Sequence, residues 1–195
     1  NAKASKGGAV AMGNGSQSRG DWGVAIGNGA KALAAGARAI GANSTADATN
    51  AAAMGWDSAA SGEASIAIGE TAKATKNNSI AMSKAAIAAA DDSIAIGKNA
   101  LVDTNQQRSI ALGANSKTAN VVSTPNQFVN GLWYKNLAGG SADSTLSVGS
   151  DTVKRTITNV AAGRMNASST DAINGSQLYA VANSLGNLAT TTKNI

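Results

Sequence analysis

Large apolar residues recur along the chain in triplets centred on alanine and followed by glycine. Val10-Ala11-Met12-Gly13, Val24-Ala25-Ile26-Gly27, Ile66-Ala67-Ile68-Gly69, Ile94-Ala95-Ile96-Gly97 and Ile110-Ala111-Leu112-Gly113 are the clearest. Aligned on the central residue, the series is Ala11, Ala25, Ala39, Ala53, Ala67, Ala81, Ala95 and Ala111, with a spacing of 14 six times and then 16. The position after it is always apolar: Met12, Ile26, Ile40, Met54, Ile68, Met82, Ile96 and Leu112. Glycine follows in seven rungs and Ser83 in the eighth. The position before the alanine is mostly Val or Ile, with Arg38 and Ala52 as departures. Two further columns are small, one running from Ser16 and Ala30 to Ser116, the other from Ser18 and Ala32 to Thr118. A fixed period of this kind marks a repeat architecture.

Each 14-residue unit thus carries two short segments of period 2, separated by turn residues such as Asn14-Gly15, Asn28-Gly29 and Lys98-Asn99. Alternation interrupted by Gly and Asn predicts strand, turn, strand, turn. A helix would carry a glycine in nearly every rung, at about 1 kcal/mol each relative to alanine. Two strands per unit, stacked in register at about 4.8 Å per rung, wind into a flattened parallel β-solenoid roughly 35–40 Å long. The alternation puts the large columns on one face of the first strand and the alanine column on the other. The pattern allows either face to be interior. The preferred arrangement places the large residues inside and a flat, close-packing alanine face outside, available to other copies of the chain. On that reading Ala11, Ala25, Ala39, Ala53, Ala67, Ala81, Ala95 and Ala111 are the candidates for the interface of a symmetric assembly.

The rung pattern stops after Thr118. Residues 120–150 hold the single proline, Pro125, then Phe128, Trp133 and Tyr134, then Gly139-Gly140. Such a cluster reads as a hydrophobic cap on the last rung, which repeat arrays require, or as a ligand-contacting projection. Residues 151–177 are polar and rich in turn formers. From Leu178 a heptad seam begins, with Leu178, Leu185 and Thr192 at a, and Val181, Leu188 and Ile195 at d. An isolated helix of this length is marginal, so it needs partner helices, and Leu at a with β-branched residues at d disfavours a plain dimer. Leu178, Val181, Leu185 and Leu188 join the candidate assembly residues. The boundaries are 1–119 for the roll, 120–150 for the insertion or cap, 151–177 for a connecting segment and 178–195 for the coiled coil.

Composition narrows the chemistry. Hydrophobic residues are 43 % of the chain, but about half of them are alanine. There is no His and no Cys. Thiolate or imidazole metal sites, His-based nucleophile arrangements and disulfides are therefore excluded. No cofactor site is expected. No apolar run is long enough for a transmembrane helix, and an excised piece of a longer protein fits a start at Asn1.

The rungs resemble the head of YadA-like trimeric autotransporter adhesins of Gram-negative bacteria. Residues 155–163 (Arg155 to Gly163) and 170–179 (Thr170 to Tyr179) are similar to the neck of that family, and the seam after them to the start of its stalk. The resemblance implies an all-β fold, a left-handed parallel β-roll per chain in a homotrimer, with a neck and a short C-terminal α-helical coiled coil. It implies display on the bacterial surface through an outer-membrane anchor outside this chain, and attachment to host extracellular matrix or a cell-surface receptor without catalysis. It does not transfer a particular ligand, collagen included.

Three chains of similar rungs would act by avidity. Trp56, Lys73, Lys76, Arg108, Trp133 and Tyr134 are candidate ligand contacts. The competing readings are weaker. A hexapeptide-repeat acyltransferase needs coils that are multiples of six and normally a His base. A calcium roll needs an Asp in each turn. An ice-binding solenoid would want ranked threonines. The net charge of +5 arises from scattered residues, with no Lys/Arg cluster or basic aromatic platform for nucleic acid. A structural spacer, or a rod that attracts anionic glycans in a salt-dependent way, remains the alternative.

Overall fold

A computed structural model describes residues 1–193 and divides the chain into two compact units. The first comprises residues 1–121 and 143–155, the second residues 122–142 and 156 onward. Ile195, the last expected seam position, lies outside the described residues.

The first unit is a parallel β-roll made of two sheets. Three-residue strands, from Val10–Met12 through Ile66–Ile68 to Ile110–Leu112, stack in one sheet, and Leu146–Ser147 adds its ninth strand. Two-residue strands, from Lys3–Ala4 to Leu101–Val102, stack in an eight-stranded second sheet. The register follows the repeat: Ala67 pairs with Ala53 below and Ala81 above. The 16-residue rung keeps it, with Ala95 opposite Ala111. Its two extra residues are absorbed between Asp103 and Ser109, where the turn bonds are Gln106 N–H to Asp103 O and Ser109 N–H to Gln106 O.

Every rung turns twice. In the turns, residue i+3 donates to the carbonyl of residue i, as in Ala30 N–H to Gly27 O at 3.3 Å and Ala37 N–H to Ala34 O at 3.1 Å. Only the third residue of the four has φ near +55° to +68°, for example Gly29 and Gly36, which is the type II pattern. Non-glycine residues hold this position at Trp22, Thr71 and Arg108. The glycine after each three-residue strand has a different role. Gly27 has φ +131°, and a Cβ there would lie 2.6 Å from the carbonyl carbon of Gly41 in the next rung. Rungs stack too closely in this column for a side chain, and Ser83 at φ 104° is the exception.

The interior corrects the preferred face assignment. The alanine column lies inside the roll: Ala25, Ala39, Ala53, Ala67, Ala81, Ala95 and Ala111 are completely buried, and Ala11 is half-buried at the first rung. The small columns from Ser16 and from Ser18 join it, as do Ala37, Ala51, Ser65, Ser79, Ser93 and Ser109. Two sheets joined by four-residue turns leave room mainly for methyl and hydroxymethyl groups, with Val102 in the longer rung the largest fully buried side chain, so alternation drives the large columns outward. Several interior serines satisfy their hydroxyls on turn carbonyls, as Ser44 Oγ does to Gly41 O at 2.8 Å and Ser93 Oγ to Ala90 O at 2.6 Å. That bond offsets the cost of burying the hydroxyl, which explains why Ser and Ala alternate freely in these columns.

The second unit contains an antiparallel hairpin, Gln127–Val129 paired with Leu132–Tyr134, closed by Asn130-Gly131 with positive φ at both residues. That is the type I′ turn suited to strand twist. It also contains the connecting segment and a helix, Gly175–Lys193. No helix among the described residues is long and apolar enough to cross a membrane.

Candidate functional site

The outer face of the nine-stranded sheet is an extended apolar feature of the roll. It carries two ranked columns, Val10, Val24, Ile66, Ile80, Ile94 and Ile110 beside Met12, Ile26, Ile40, Met54, Ile68, Met82, Ile96 and Leu112. All are half-buried or exposed in the single chain; Met12 retains 62 % of its surface and Leu112 45 %. A continuous stripe of this kind marks an interaction surface. Sequence reasoning had given the assembly role to the alanines. Seven of the eight are completely buried inside the roll and Ala11 is half-buried, whereas the columns that flank them face outward.

Helix Gly175–Lys193 presents a second unpartnered stripe. Leu178, Val181, Leu185 and Leu188 are all exposed, with Leu178 at 66 %. Asn174 caps the helix: its Oδ1 accepts from Gln177 N–H at 3.3 Å and Ser176 Oγ–H at 2.8 Å. The same side chain donates from Nδ2 to Val160 O at 3.0 Å. Gln177 forms a two-way clasp with Gly163, accepting from its N–H at 2.8 Å and donating to its carbonyl at 2.7 Å. Arg164 grips Asp171 through Nε (2.7 Å) and Nη2 (2.9 Å) while its backbone N–H donates to the same carboxylate at 3.0 Å. The Arg164 side chain, and then its backbone N–H, hold the Asp171 carboxyl below the usual carboxylate range; Arg164 is raised in return. These polar contacts give residues 156–177 a defined path without an apolar core.

Arg155 does the equivalent work at the end of the roll. Its guanidinium donates to Ser116 Oγ at 3.1 Å and to the carbonyls of Val148 and Ala114. Sequence reasoning placed Arg155 only as the first residue of a motif. Its partners lie 7 to 41 residues away, and nothing in local pattern signals them.

The candidate ligand contacts are not brought together. Trp56 lies in the first turn of its rung, more than half exposed. Lys73 points outward from the two-residue strand Lys73–Ala74. Lys76 and Arg108 lie at the opposite turn edge, where Arg108 pairs with Asp143 at 2.8 Å. Trp133 and Tyr134 belong to the hairpin of the second unit. There Trp133 is 63 % exposed and stacks at a tilt on Phe128, ring centres 5.3 Å apart. The aromatic cluster is therefore no buried plug within one chain. The ninth strand from residues 143–155 covers the last long strand instead.

Comparison with known proteins places these features. The YadA head domain repeat matches residues 18–44, 36–58, 60–82 and 84–100. The coiled stalk of trimeric autotransporter adhesins matches residues 156–195. Over 76 residues, 39 % of the chain, it is 53 % identical to the autotransporter adhesin BtaE of Brucella suis, and spans about a tenth of that protein's length. Among solved structures, the collagen-binding domain of the Yersinia adhesin YadA superposes with a TM-score of 0.61 at 28 % identity, over 87 % of this chain and 89 % of that one. A C-terminal YadA-like domain from Burkholderia pseudomallei gives 0.51 at 41 % identity, over 63 % of this chain and 54 % of the other.

Proposed function

Because the chain belongs to the YadA-like trimeric autotransporter adhesins, we propose that it forms a homotrimer through the outer face of its nine-stranded sheet and the helix seam, and that the trimer is an adhesive head acting by multivalent surface contact. One observation carries this reading. The interior is filled almost wholly by Ala, Ser and Gly, with Val102 its largest fully buried side chain, while large apolar side chains stand in two ranked columns on one outer face. Exposed Leu178, Val181, Leu185 and Leu188 ask for the same partners. Each stripe is buried when three chains turn it toward its counterparts.

The family points to binding rather than catalysis, and its members to the bacterial surface. The partner that fits is a host matrix protein or cell-surface receptor offering repeated sites. No candidate contact forms a pocket with another, so affinity comes from many weak, equivalent contacts, and avidity multiplies them by about 10²–10⁴. The test is retention of the protein on matrix-coated surfaces and host cells. The trimer should be retained at least tenfold better than a chain made monomeric by polar residues in the apolar columns. Equal retention of the two would reject multivalent adhesion.

A further inference from the structure

We propose that the two turn edges of the roll form a second, charge-matched contact between neighbouring copies, in which Lys84 and Lys98 of one copy face Asp91 and Asp92 of the next. This rests on the assembly through the long-strand face. In a closed ring whose members all turn the same face inward, the contact between neighbours is heterologous: the first-turn edge of one copy lies beside the second-turn edge of the next. The apolar columns run along the stacking direction, so the ring axis runs along it too, and residues at one height meet residues at the same height.

The heights follow from the ladder. On the first-turn edge Lys84 lies one rung above Glu70, with Ala85 N–H bonded to Glu70 O at 2.8 Å, and Lys98 one rung above that, with Asn99 N–H bonded to Lys84 O at 3.0 Å. On the opposite edge Asp91 and Asp92 come half a coil after Lys84 and half a coil before Lys98. Their level is within about 2.4 Å of either lysine. Two carboxylates on one edge are thus bracketed by two ammonium groups on the other.

In-chain pairing engages Lys84, so the edge contact falls chiefly on Lys98. Glu70 pairs with Lys84 at 2.7 Å, Asp143 with Arg108 at 2.8 Å and Asp103 with Lys117 at 3.8 Å. Among the described residues, Asp91, Asp92 and Lys98 have no ion-pair partner. The Asp91 carboxylate accepts from Asn77 N–H and that of Asp92 from Asn78 Nδ2, both at 3.0 Å. The complementarity is local. Two rungs lower, Glu63 stands between the levels of Asp57 and Glu70, all of one sign, so the edges repel at that level and attract at the level of Asp91 and Asp92. Electrostatic pairs of this kind fix register and orientation more than they add affinity.

The chain has no cysteine, which permits a direct test. In the full chain, Asp92→Cys and Lys98→Cys are combined and mildly oxidised. The two positions flank strand Ile94–Ile96 at opposite ends, too far apart for an in-chain disulfide, which needs Cα atoms within about 7 Å. The expected product on a denaturing gel is a covalent trimer, which neither single cysteine can give. Light scattering before oxidation separates the two claims. A trimer that yields no covalent trimer overturns the edge contact and leaves the assembly standing; a monomer overturns both. Charge reversal gives a second reading. Lys98→Glu should lower the melting temperature of the trimer by about 2–4 °C, and Asp91→Lys with Asp92→Lys in the same chain should restore it. Additive losses instead of rescue would also overturn the contact.

Discussion

The two units of this chain solve the problem of folding with few large side chains in different ways. In the roll, strands stack in parallel ladders, and the interior is a set mostly of methyl and hydroxymethyl groups sealed from water. In the second unit, the connecting segment is held by side-chain bonds, Arg164 to Asp171, Gln177 to Gly163 and Asn174 to Val160. Its large apolar residues, Phe128, Trp133, Leu178 and Leu185 among them, stay exposed. Backbone repetition lets the roll dispense with a conventional core, whereas the helix seam gains its burial only from other copies.

Glycine substitutions break this comparison most sharply, because the same change has opposite signs in the two units. Gly27→Ala puts a Cβ 2.6 Å from the backbone of the next rung at φ +131°, and should cost about 2–4 kcal/mol in thermal unfolding of the roll. Ser83→Gly, in the same column, should return about 1 kcal/mol. Gly186 in the helix has open space where a Cβ would go, and Gly186→Ala should stabilise the helix by about 1 kcal/mol, read by circular dichroism.

Arg155→Ala comes next. It removes donors to Ser116, Val148 and Ala114 at the end of the roll. The expected loss is about 1–3 kcal/mol, confined to the upper rungs, and hydrogen exchange should show faster opening at Ser116 than at Ser44. Uniform opening along the roll would contradict the assigned place of Arg155.

The smallest effect is one of pH. The Asp171 carboxyl is held below its ordinary range by Arg164. Its contribution is therefore complete above the unfolded carboxylate pKa and is lost as pH falls through the lower folded value. Melting of the helix and its connecting segment should be flat from pH 7 to 5 and decline in stronger acid. Asp171→Asn should be less stable at neutral pH, with that part of the acid decline gone.

Much of this architecture was legible in the sequence. The 14-residue period gave the strand register directly, with Ala95 still opposite Ala111 across the longer rung. The family resemblance, carried by the rungs and by residues 155–179, agrees with the comparisons. Which face lies inside was not settled by alternation, since both faces repeat equally well. A signal was present in Arg38: a guanidinium in the first column cannot sit in a dry interior without a partner, and in the structure it is exposed. The columns from Ser16 and Ser18 share the restriction to small residues that the alanines show, which marks a common interior. The contacts of Arg155 were illegible because they join residues far apart in sequence and follow no period.

The central claim is that the outward columns hold the copies together. It is tested most directly by the absolute mass in solution of the full chain and of the same chain carrying Ile68→Asp and Ile96→Asp. The unaltered chain should scatter as three copies of 19.1 kDa, about 57 kDa, and the double variant as a monomer that keeps its β-roll circular dichroism. A double variant that remains trimeric would show that the neck and helix assemble the protein unaided, and would contradict the role assigned to the face of the roll.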